Sequence, residues 1–209
     1  MAKAAGIKGK EQKRKKIMEA ALKIFSKKGY SPAAIDEVAR EAGIAKGTLY
    51  LYFQDKEDLF CSTILHVIDN LALLLQKNIN EQMNPLEILK SLAFYQLKFF
   101  SQNRDFFGIF QTIINENLLS SHKKLFNLLL IRKQDLINYE INLIDRGKRE
   151  GLIRSDIESE EIVNSFDGMV TNSIKQMGYC NNNVNTGIDV EKKVKSIMQI
   201  LLEGILKRK

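Results

Sequence analysis

Proline is almost absent from this chain, and its absence limits the folds that are open to it. Only Pro32 and Pro85 occur among 209 residues, so residues 86–209 contain none. Because a proline inside a helix removes a backbone hydrogen bond and clashes with the preceding turn, long helices can run here without interruption. The sequence also lacks the sustained apolar–polar alternation that indicates strands. It therefore predicts an all-α fold.

Apolar residues recur at intervals of three and four, which is the helical period. Ile17, Ala21, Ile24 and Phe25 form one such stripe, typical of an amphipathic helix that ends near Gly29. Glycines and polar clusters, including an Asn-rich loop at 178–187, divide the chain into about nine predicted helices. Their predicted spans are 10–28, 32–41, 45–51, 55–80, 86–102, 104–117, 121–147, 158–178 and 188–207.

The predicted helices become longer near residue 55, which indicates two domains. Residues 1–54 form a small N-terminal module, and residues 55–209 form a larger helical body. The predicted helix 55–80 joins the two and is the candidate for transmitting a change between them.

Positive charge is concentrated at the N-terminus. Residues 1–16 hold seven bases and one acid, whereas the other 193 residues hold 25 bases and 24 acids. A basic arm on a nearly neutral body favours a polyanionic partner at that end. A solvated leader without function is the alternative interpretation of the run alone.

Composition excludes several classes of protein. Residues 59–68 and 106–115 are the longest uncharged apolar stretches, and these ten-residue runs are well short of the roughly 18 residues of a membrane span. No apolar segment follows the basic N-terminus as it would in a signal peptide. Cys61 and Cys180 are too far apart in sequence to form a CxxC motif, so no disulfide framework or metal site is predicted. We expect a cytoplasmic protein with no membrane partner.

An enzyme is disfavoured by the absence of known catalytic patterns. The chain has two histidines and neither an HExxH nor a GxSxG motif. Cys61 and His66 would lie about 140° apart on a helix, so they form no dyad within it. The segment 43–48 lacks the residue order and the preceding strand of a P-loop, and no cofactor is predicted.

The most informative segment is 31–60, SPAAIDEVAREAGIAKGTLYLYFQDKEDLF. Ala39 precedes Gly43 by four residues, and a small side chain there allows two helices to cross closely. Gly43 can adopt the left-handed conformation that ends the first helix. Val38, Ile44 and Leu49 would form a small core beneath the turn. This pattern predicts a helix-turn-helix, whose second helix enters the DNA major groove.

These blocks resemble the DNA-binding domain of the TetR family (TetR/AcrR type) of bacterial transcriptional regulators. The resemblance covers roughly residues 10–60 and rests on blocks in the right order at the right spacing. It implies a homeodomain-like three-helix module followed by a divergent domain that binds an effector and dimerises. The blocks are Gly29–Tyr30, Ile35–Ala39, Ala42–Ile44, Lys46–Tyr50, Tyr52–Phe53 and Lys56–Leu59.

The resemblance also implies which residues contact DNA. Leu49 and Phe53 are expected in the core, and Asp55 is expected to cap the next helix. Ala33 and Ala45 depart from the family pattern, which has hydroxyl residues there, and Ser31 could cap the first helix instead. The predicted DNA-binding residues are Lys46, Gly47, Thr48, Tyr50, Tyr52 and Lys56.

Aromatic residues cluster in 94–110, where they form either ordinary core or a cavity for a small apolar or aromatic effector. The resemblance favours the cavity. Polar residues nearby and elsewhere in the body could orient such a ligand. The candidate pocket residues are His66, Phe94, Phe99, Phe106, Phe107, Phe110, Gln111, Asn115 and Asn172.

The last two predicted helices carry broad apolar stripes that could form a two-fold dimer interface or pack within their own subunit. A dimer is favoured because a helix-turn-helix usually reads a palindrome with two copies. We predict a repressor released by its effector; an activator, an effector-independent DNA-binding protein and a purely helical interaction module are alternatives. The candidate interface residues are Ile162, Phe166, Met169, Val194, Ile197, Met198, Leu201, Leu202 and Ile205.

Overall fold

The computed structural model describes residues 2–180 and 189–205, with side chains for 9–113, 115–177 and 189–203. Within these ranges the chain forms ten helices and no strand, which confirms the all-α prediction. The helices are α1 (Ala2–Lys28), α2 (Ile35–Glu41), α3 (Lys46–Tyr50), α4 (Lys56–Asn78), α5 (Pro85–Gln102), α6 (Arg104–Asn115), α7 (Leu118–Ser121), α8 (Lys123–Arg149), α9 (Ser159–Cys180) and α10 (Val190–Ile205).

Most predicted spans agree with these bounds to within a few residues, and three differ for physical reasons. The prediction of nine helices omitted α7, a single turn that follows Asn117 in the left-handed conformation (φ 50°). Helix α1 begins at Ala2 rather than at residue 10, so the basic arm is helical. Helix α2 begins at Ile35, after Pro32. Within the predicted Asn-rich loop, residues 181–187 lie outside the described residues, as do positions 188, 206 and 207 of the last predicted helix.

The chain forms two compact units, which we call unit 1 and unit 2. Unit 1 comprises residues up to 70 together with 104–128, and unit 2 comprises 71–103 and the residues from 129 onward. Helices α4 and α8 contribute residues to both. Unit 1 is larger than the predicted module 1–54 because α6, α7 and the first half of α4 belong to it. A functional boundary at residues 54 and 55 stays a prediction.

Unit 1 is built around the aromatic rings at the end of α1. The ring of Phe25 meets that of Phe60 edge to face at 5.0 Å, and the ring of Tyr30 lies 4.7 Å from that of Phe60. Such pairs add to the stabilisation from burial alone. Ile17 and Val38 complete this core from α1 and α2, and both are at most 1% exposed.

Helices α1 and α6 approach each other closely at Gly108. A Cβ on Gly108 would lie 2.8 Å from Cβ of Ser26 and 2.9 Å from its carbonyl oxygen. The hydroxyl of Ser26 donates to Asp105 at 2.9 Å in the first turn of α6. Residues 104–115 are therefore attached to the first helix of the helix-turn-helix module by packing that only glycine permits.

Unit 2 has its own apolar core. It is formed by α5, α9, α10 and the C-terminal part of α8. Helices α5 and α10 both pack against α9. Its fully buried side chains include Leu92, Ile144, Val163 and Phe166, each at most 1% exposed.

Helix α4 is long and apolar enough to cross a membrane, with a mean hydropathy of 1.5 in its best window. The sequence prediction counted only uncharged runs. Helix α4 is longer than the run 59–68 because Asp69 ends that run without ending the helix. Its first half packs inward through six buried residues, which accounts for the apolar composition of that half. They are Leu59, Phe60, Cys61, Thr63, Ile64 and Val67.

Candidate nucleic-acid interface

Helices α2 and α3 are joined by a tight turn at Gly43. Gly43 has φ +66°, and its N–H donates to the carbonyl of Arg40 at 3.0 Å. The N–H of Ile44 donates to the carbonyl of Ala39 at 3.0 Å, which closes the turn. Ala39 is 3% exposed and Leu49 is fully buried, so the two helices pack as a helix-turn-helix does. The predicted role of Gly43 is confirmed.

The other side of α3 is open to solvent. Lys46 and Gly47 are exposed, Thr48 is half-buried, and Tyr50 is 47% exposed. Gly47 has an ordinary helical φ, and a Cβ placed on it would meet nothing within 4 Å. The protein's own packing therefore does not require glycine there. Glycine is required, however, where the backbone must come close to another molecule.

Leu51 is a surface residue that the sequence prediction missed. It follows α3 directly and is 75% exposed, which is unusual for a leucine beside a helix-turn-helix. Leu51 lies two positions after the buried Leu49, about 200° around the helix axis, so periodicity could have placed it on the open side. An apolar side chain at that position can contact a thymine methyl group.

The charge on α3 is paired within the module. The Lys46 ammonium lies 2.7 Å from Oδ1 of Asp36 on α2, and both side chains are more than half exposed. This hydrogen bond raises the pKa of Lys46. In the free protein, a base expected to contact DNA thus carries a neutralising partner, and DNA must compete with Asp36 for it.

We expect Asp36→Asn to increase the affinity for DNA of any sequence by several-fold. The variant removes a carboxylate that repels phosphates and frees Lys46, so the dependence of log K on log salt should steepen by about one unit. Fluorescence anisotropy across a salt series measures both quantities. Glu41→Gln is the matched control, because Glu41 is also on α2 and pairs with Lys23 on α1 at 3.2 Å. Equal slopes for Asp36→Asn and the wild type would contradict this prediction.

The side chain of Lys56 is held in place by contacts within the module itself. Its ammonium donates to the carbonyl of Ser31 at 2.9 Å and lies 4.8 Å above the ring of Tyr30. Partial burial lowers its pKa. Glu116, at the end of α6, accepts from the backbone N–H groups of Tyr30 and Ser31 at 2.7 and 2.9 Å. Lys56 and Glu116 together fix the turn between α1 and α2, and the predicted phosphate contact of Lys56 stays a prediction.

Tyr52 is half-buried. Its predicted contact with DNA also stays a prediction.

The caps of the module are partly as predicted. Ala45 occupies the N-cap of α3 without a side-chain hydrogen bond, and Asp55 accepts from the N–H of Asp58 at 2.7 Å at the start of α4. The prediction that Ser31 caps α2 is wrong. Its hydroxyl donates instead to Glu116 at 2.7 Å, because Ala34 is the N-cap residue.

The basic arm is divided between the surface and the core. Lys10, Lys13 and Lys16 are exposed, and the ammonium of Lys16 lies 3.8 Å from where a Cβ on Gly43 would be. Arg14 turns inward, where its guanidinium stacks over the ring of Phe53 at 4.7 Å and donates to Ser62 at 3.0 Å. The exposed lysines extend the positive surface of the helix-turn-helix, whereas Arg14 has a structural role.

Comparison with known proteins identifies this module. Residues 17–62 match the family model described as bacterial regulatory proteins, tetR family. Residues 17–62 therefore match the N-terminal module of the tetR family, and the helix-turn-helix in this segment is that of a DNA-binding regulator.

Relatives extend the similarity beyond the module. The chain is 31% identical to the uncharacterized HTH-type transcriptional regulator YerO of Bacillus subtilis, over 54% of this chain and 39% of that protein. It is 23% identical to the fatty acid metabolism regulator protein of the same organism, over 95% and 98% of the two chains. A crystal structure of FadR from Bacillus subtilis in complex with stearoyl-CoA superimposes with a TM-score of 0.77 at 19% identity, over 91% and 98%.

The predicted pocket residues fall in both units. Phe99 and Phe106 are buried, and Asn115 and Asn172 are exposed. His66 is half-buried, and burial lowers its pKa. Unit 1 contains His66, Phe106, Phe107, Phe110, Gln111 and Asn115, whereas unit 2 contains Phe94, Phe99 and Asn172.

Unit 2 contains an apolar groove of about 900 Å³ between α5 and α10. Phe94 lines it, together with Leu86, Val194, Met198 and Leu202. Phe94 is thus the one predicted pocket residue that lines this groove, and Met198, Val194 and Leu202 had been assigned to a dimer interface. The sequence could show that α10 has a broad apolar face, but not that part of it lines a groove.

The predicted interface residues are mostly internal. Met169 and Leu202 are half-buried, and the side chain of Ile205 lies outside the described residues. The other six are buried within the single chain, where they contribute to the core of unit 2, and the dimer interface stays a prediction. They are Ile162, Phe166, Val194, Ile197, Met198 and Leu201, each at most 6% exposed. The open sides of α9 and α10 instead present Ser165 and Ile200, the latter 64% exposed.

Proposed function

We propose that this chain is a dimeric transcriptional repressor of the bacterial cytoplasm, which binds a palindromic operator and is released by a small apolar or aromatic effector. The observation that carries the DNA-binding part is the open side of α3. There Gly47 has free space above it, and Lys46 and Tyr50 are exposed beside it.

The side chains on α3 suit the major groove. Lysine can donate to a guanine edge or a phosphate, and a threonine hydroxyl can donate to phosphate. The Tyr50 hydroxyl stands on a rigid ring that loses little conformational entropy on binding. Leu51 adds an apolar contact. A helix of five residues presents few side chains, so each contact carries a large share of the specificity.

A dimer supports this function because one short helix reads only a half-site. Two copies related by a two-fold axis place their recognition helices in successive major grooves, about 34 Å apart. Ile200 on α10 and the small residues on the exposed side of α9, such as Ser165 and Gly168, suit a contact between copies. An effector releases the operator only if it binds one arrangement of the dimer more tightly than the other.

The apolar effector is supported by the groove in unit 2, whose volume of about 900 Å³ is in the range of small-molecule sites. Leu86, Phe94 and Met198 provide apolar lining. Two related proteins also point to apolar ligands by their names, the fatty acid metabolism regulator protein and FadR with stearoyl-CoA.

Capture of genomic fragments by the purified full chain tests the proposal. We expect enrichment of a short palindrome, and release of the captured DNA by a member of a panel of small apolar compounds. Tyr50→Ala protein, captured in parallel, controls for binding that depends on charge alone. Capture that is independent of sequence and equal for both proteins would contradict the DNA-binding part, and a palindrome that no compound releases would contradict the effector.

A further inference from the structure

The first turns of α1 carry positive charge that the proposed function does not use. Residues 8–16 read KGKEQKRKK and contain no apolar side chain. They precede the segment 17–62 that matches the family model, so that match assigns nothing to them. In the structure they belong to α1, which continues through them without a break. A role for these charges must therefore follow from their own surroundings.

One side of this segment is electrically balanced. Glu11, Lys15 and Glu19 follow one another at intervals of four, so they share one side of α1. The ammonium of Lys15 lies 3.9 Å from the carboxylate of Glu19. This side carries two acids and one base, and it offers little attraction to a polyanion.

A second side carries unbalanced positive charge. Lys10 and Lys13 precede the buried Ile17 and Ala20 by seven residues each, and positions seven apart lie on nearly the same side of a helix. The two lysines therefore stand on the side of α1 that packs into the core of unit 1 two turns later, yet they are themselves exposed. A Cβ on Gly9, just before them, would meet no described atom within 4 Å, so α1 extends past the core here.

Lys16 connects this side with the helix-turn-helix. Its ammonium lies 3.8 Å from the position of a Cβ on Gly43, in the turn between α2 and α3. Lys46, the first residue of α3, follows Gly43 by three positions. Lys10, Lys13 and Lys16 are all exposed, and none of them has an acidic partner among the described residues. The positive surface thus continues from the turn of the helix-turn-helix onto α1.

We propose that Lys10, Lys13 and Lys16 form a second DNA-binding surface, which holds phosphates of the duplex that flanks the half-site read by α3. The proposal rests on the DNA-binding function and adds to it a contact that is independent of base sequence. The three lysines span about 9 Å of helix, the length of about two to three base pairs, so each can meet a different phosphate. The DNA that the protein covers is therefore longer than the palindrome that it reads.

Duplex DNA fits this surface better than other polyanions do. An anionic membrane binds helices that place an apolar side into the lipid, and residues 8–16 have no such side. An A-form RNA duplex offers phosphates to the lysines, but its major groove is too deep and narrow for α3. B-form DNA allows α3 and the lysines of α1 to bind at the same time.

Two duplexes that contain the captured palindrome test this surface on the full chain. One ends at the palindrome, and the other extends it by about one helical turn of random sequence at each end. The triple variant combines Lys10→Gln, Lys13→Gln and Lys16→Gln, because glutamine favours a helix about as well as lysine does. Fluorescence anisotropy across a salt series measures the affinity for each duplex and its dependence on salt.

The wild type should bind the longer duplex about tenfold or more tightly than the shorter one, whatever the sequence of the added ends. The triple variant should bind both duplexes as the wild type binds the shorter one. Each lost phosphate contact lowers the slope of log K against log salt by about 0.9, so the triple variant should lose about three units per subunit on the longer duplex.

The control variant combines Lys77→Gln, Lys123→Gln and Lys133→Gln. It removes the same charge from exposed positions on α4 and α8, outside the helix-turn-helix, and it should bind both duplexes as the wild type does. If the control variant lost the same affinity as the triple variant, the effect would be one of net charge, and the proposal would be wrong.

Methylphosphonate linkages test the same contact from the DNA. They replace the charged phosphates of the added ends by neutral groups, so the wild type should lose its preference for the longer duplex. This measurement needs no variant and decides even if the triple variant does not fold. A wild-type salt slope in the triple variant, an equal loss of affinity on both duplexes, or a preference that survives neutral ends would each overturn the proposal.

Failure of this surface is distinguishable from failure of the repressor function. If a palindrome is captured but the triple variant binds the longer duplex as the wild type does, the function stands and the lysines of α1 are only solvated. If no palindrome is captured, the proposed function is wrong, and the same proteins are compared on a random duplex. There an unchanged salt slope overturns the proposal as well, whereas a lower slope supports a DNA contact of α1.

Discussion

Tyr50→Ala and Lys46→Ala should each reduce operator binding to the level of nonspecific DNA while the protein remains folded. Tyr50 is 47% exposed on α3, and Lys46 is exposed one turn earlier. A good base or phosphate contact is worth about 1–3 kcal/mol. In a dimer each substitution occurs twice, so the expected loss is about 2–6 kcal/mol, or roughly 30-fold to more than 10⁴-fold in affinity.

The fold should tolerate both changes because α3 is anchored by its other side. Leu49 and Phe53 are at most 1% exposed, and neither substitution touches them. Lys46 loses only an exposed ion pair, and such pairs contribute little to stability. Circular dichroism and analytical ultracentrifugation should therefore give wild-type helix content and molecular mass.

Electrophoretic mobility shift with the captured palindrome and a scrambled duplex measures the loss of specificity. Lys77→Ala is the control for Lys46→Ala, since it removes one exposed positive charge from α4, outside the helix-turn-helix. Tyr50→Phe separates the hydroxyl from the ring. If both alanine variants bound the palindrome with wild-type affinity, α3 would not be the recognition helix.

The helix-turn-helix was predictable from sequence because its determinants are local. The left-handed Gly43, the buried Leu49 and the cap at Asp55 each depend on residues within a few positions of themselves. Leu51 could have been assigned to the exposed side by the same reasoning, from its angular distance to Leu49. Local periodicity thus indicates which side of a short helix is free.

The extent of unit 1 was not predictable because it depends on contacts far apart in the sequence. Gly108 packs on Ser26, and Glu116 binds the backbone of Tyr30 from 86 positions away. Nothing around Gly108 in the sequence indicates which helix it faces. The boundary expected at residue 55 followed helix length, whereas the structure groups elements by such packing.

The partners of the predicted interface residues were not predictable for a related reason. An apolar stripe on a helix shows that one side is buried, but not what covers it. For Phe166, Ile197 and Leu201, the covering is unit 2 itself. Glu140 was not identified at all, because a single glutamate on an amphipathic helix is usually solvated, and burial of its carboxyl emerges only when α8 and α9 are placed together.

Unit 2 should lose stability as the pH rises, and Glu140 should account for much of that loss. The pKa of Glu140 is about 9 in the folded chain, raised by burial and by Asp167, against 4.5 for an ordinary glutamate. Between these values the native state keeps a proton that the unfolded chain has released. The free energy of unfolding contributed by Glu140 is therefore fully present below about pH 4.5 and falls as the pH approaches 9.

Glu140→Gln isolates this contribution. Glutamine has the size and hydrogen-bonding capacity of a protonated glutamic acid, so the variant keeps the native arrangement but cannot ionise. Each pH unit over which one proton is retained is worth about 1.4 kcal/mol. We expect the variant to have similar stability to the wild type near pH 5 and to exceed it by several kcal/mol at pH 9.

Urea denaturation at pH 5, 7 and 9, followed by circular dichroism, measures this difference. Asp135→Asn is the matched control, because Asp135 is exposed on the same helix as Glu140, and this variant should run parallel to the wild type at every pH. If the wild type and Glu140→Gln also ran parallel, Glu140 would be ionised in the folded chain already. A growing advantage of the glutamine variant would mean instead that the native fold keeps a proton on Glu140, beside Asp167, at neutral pH.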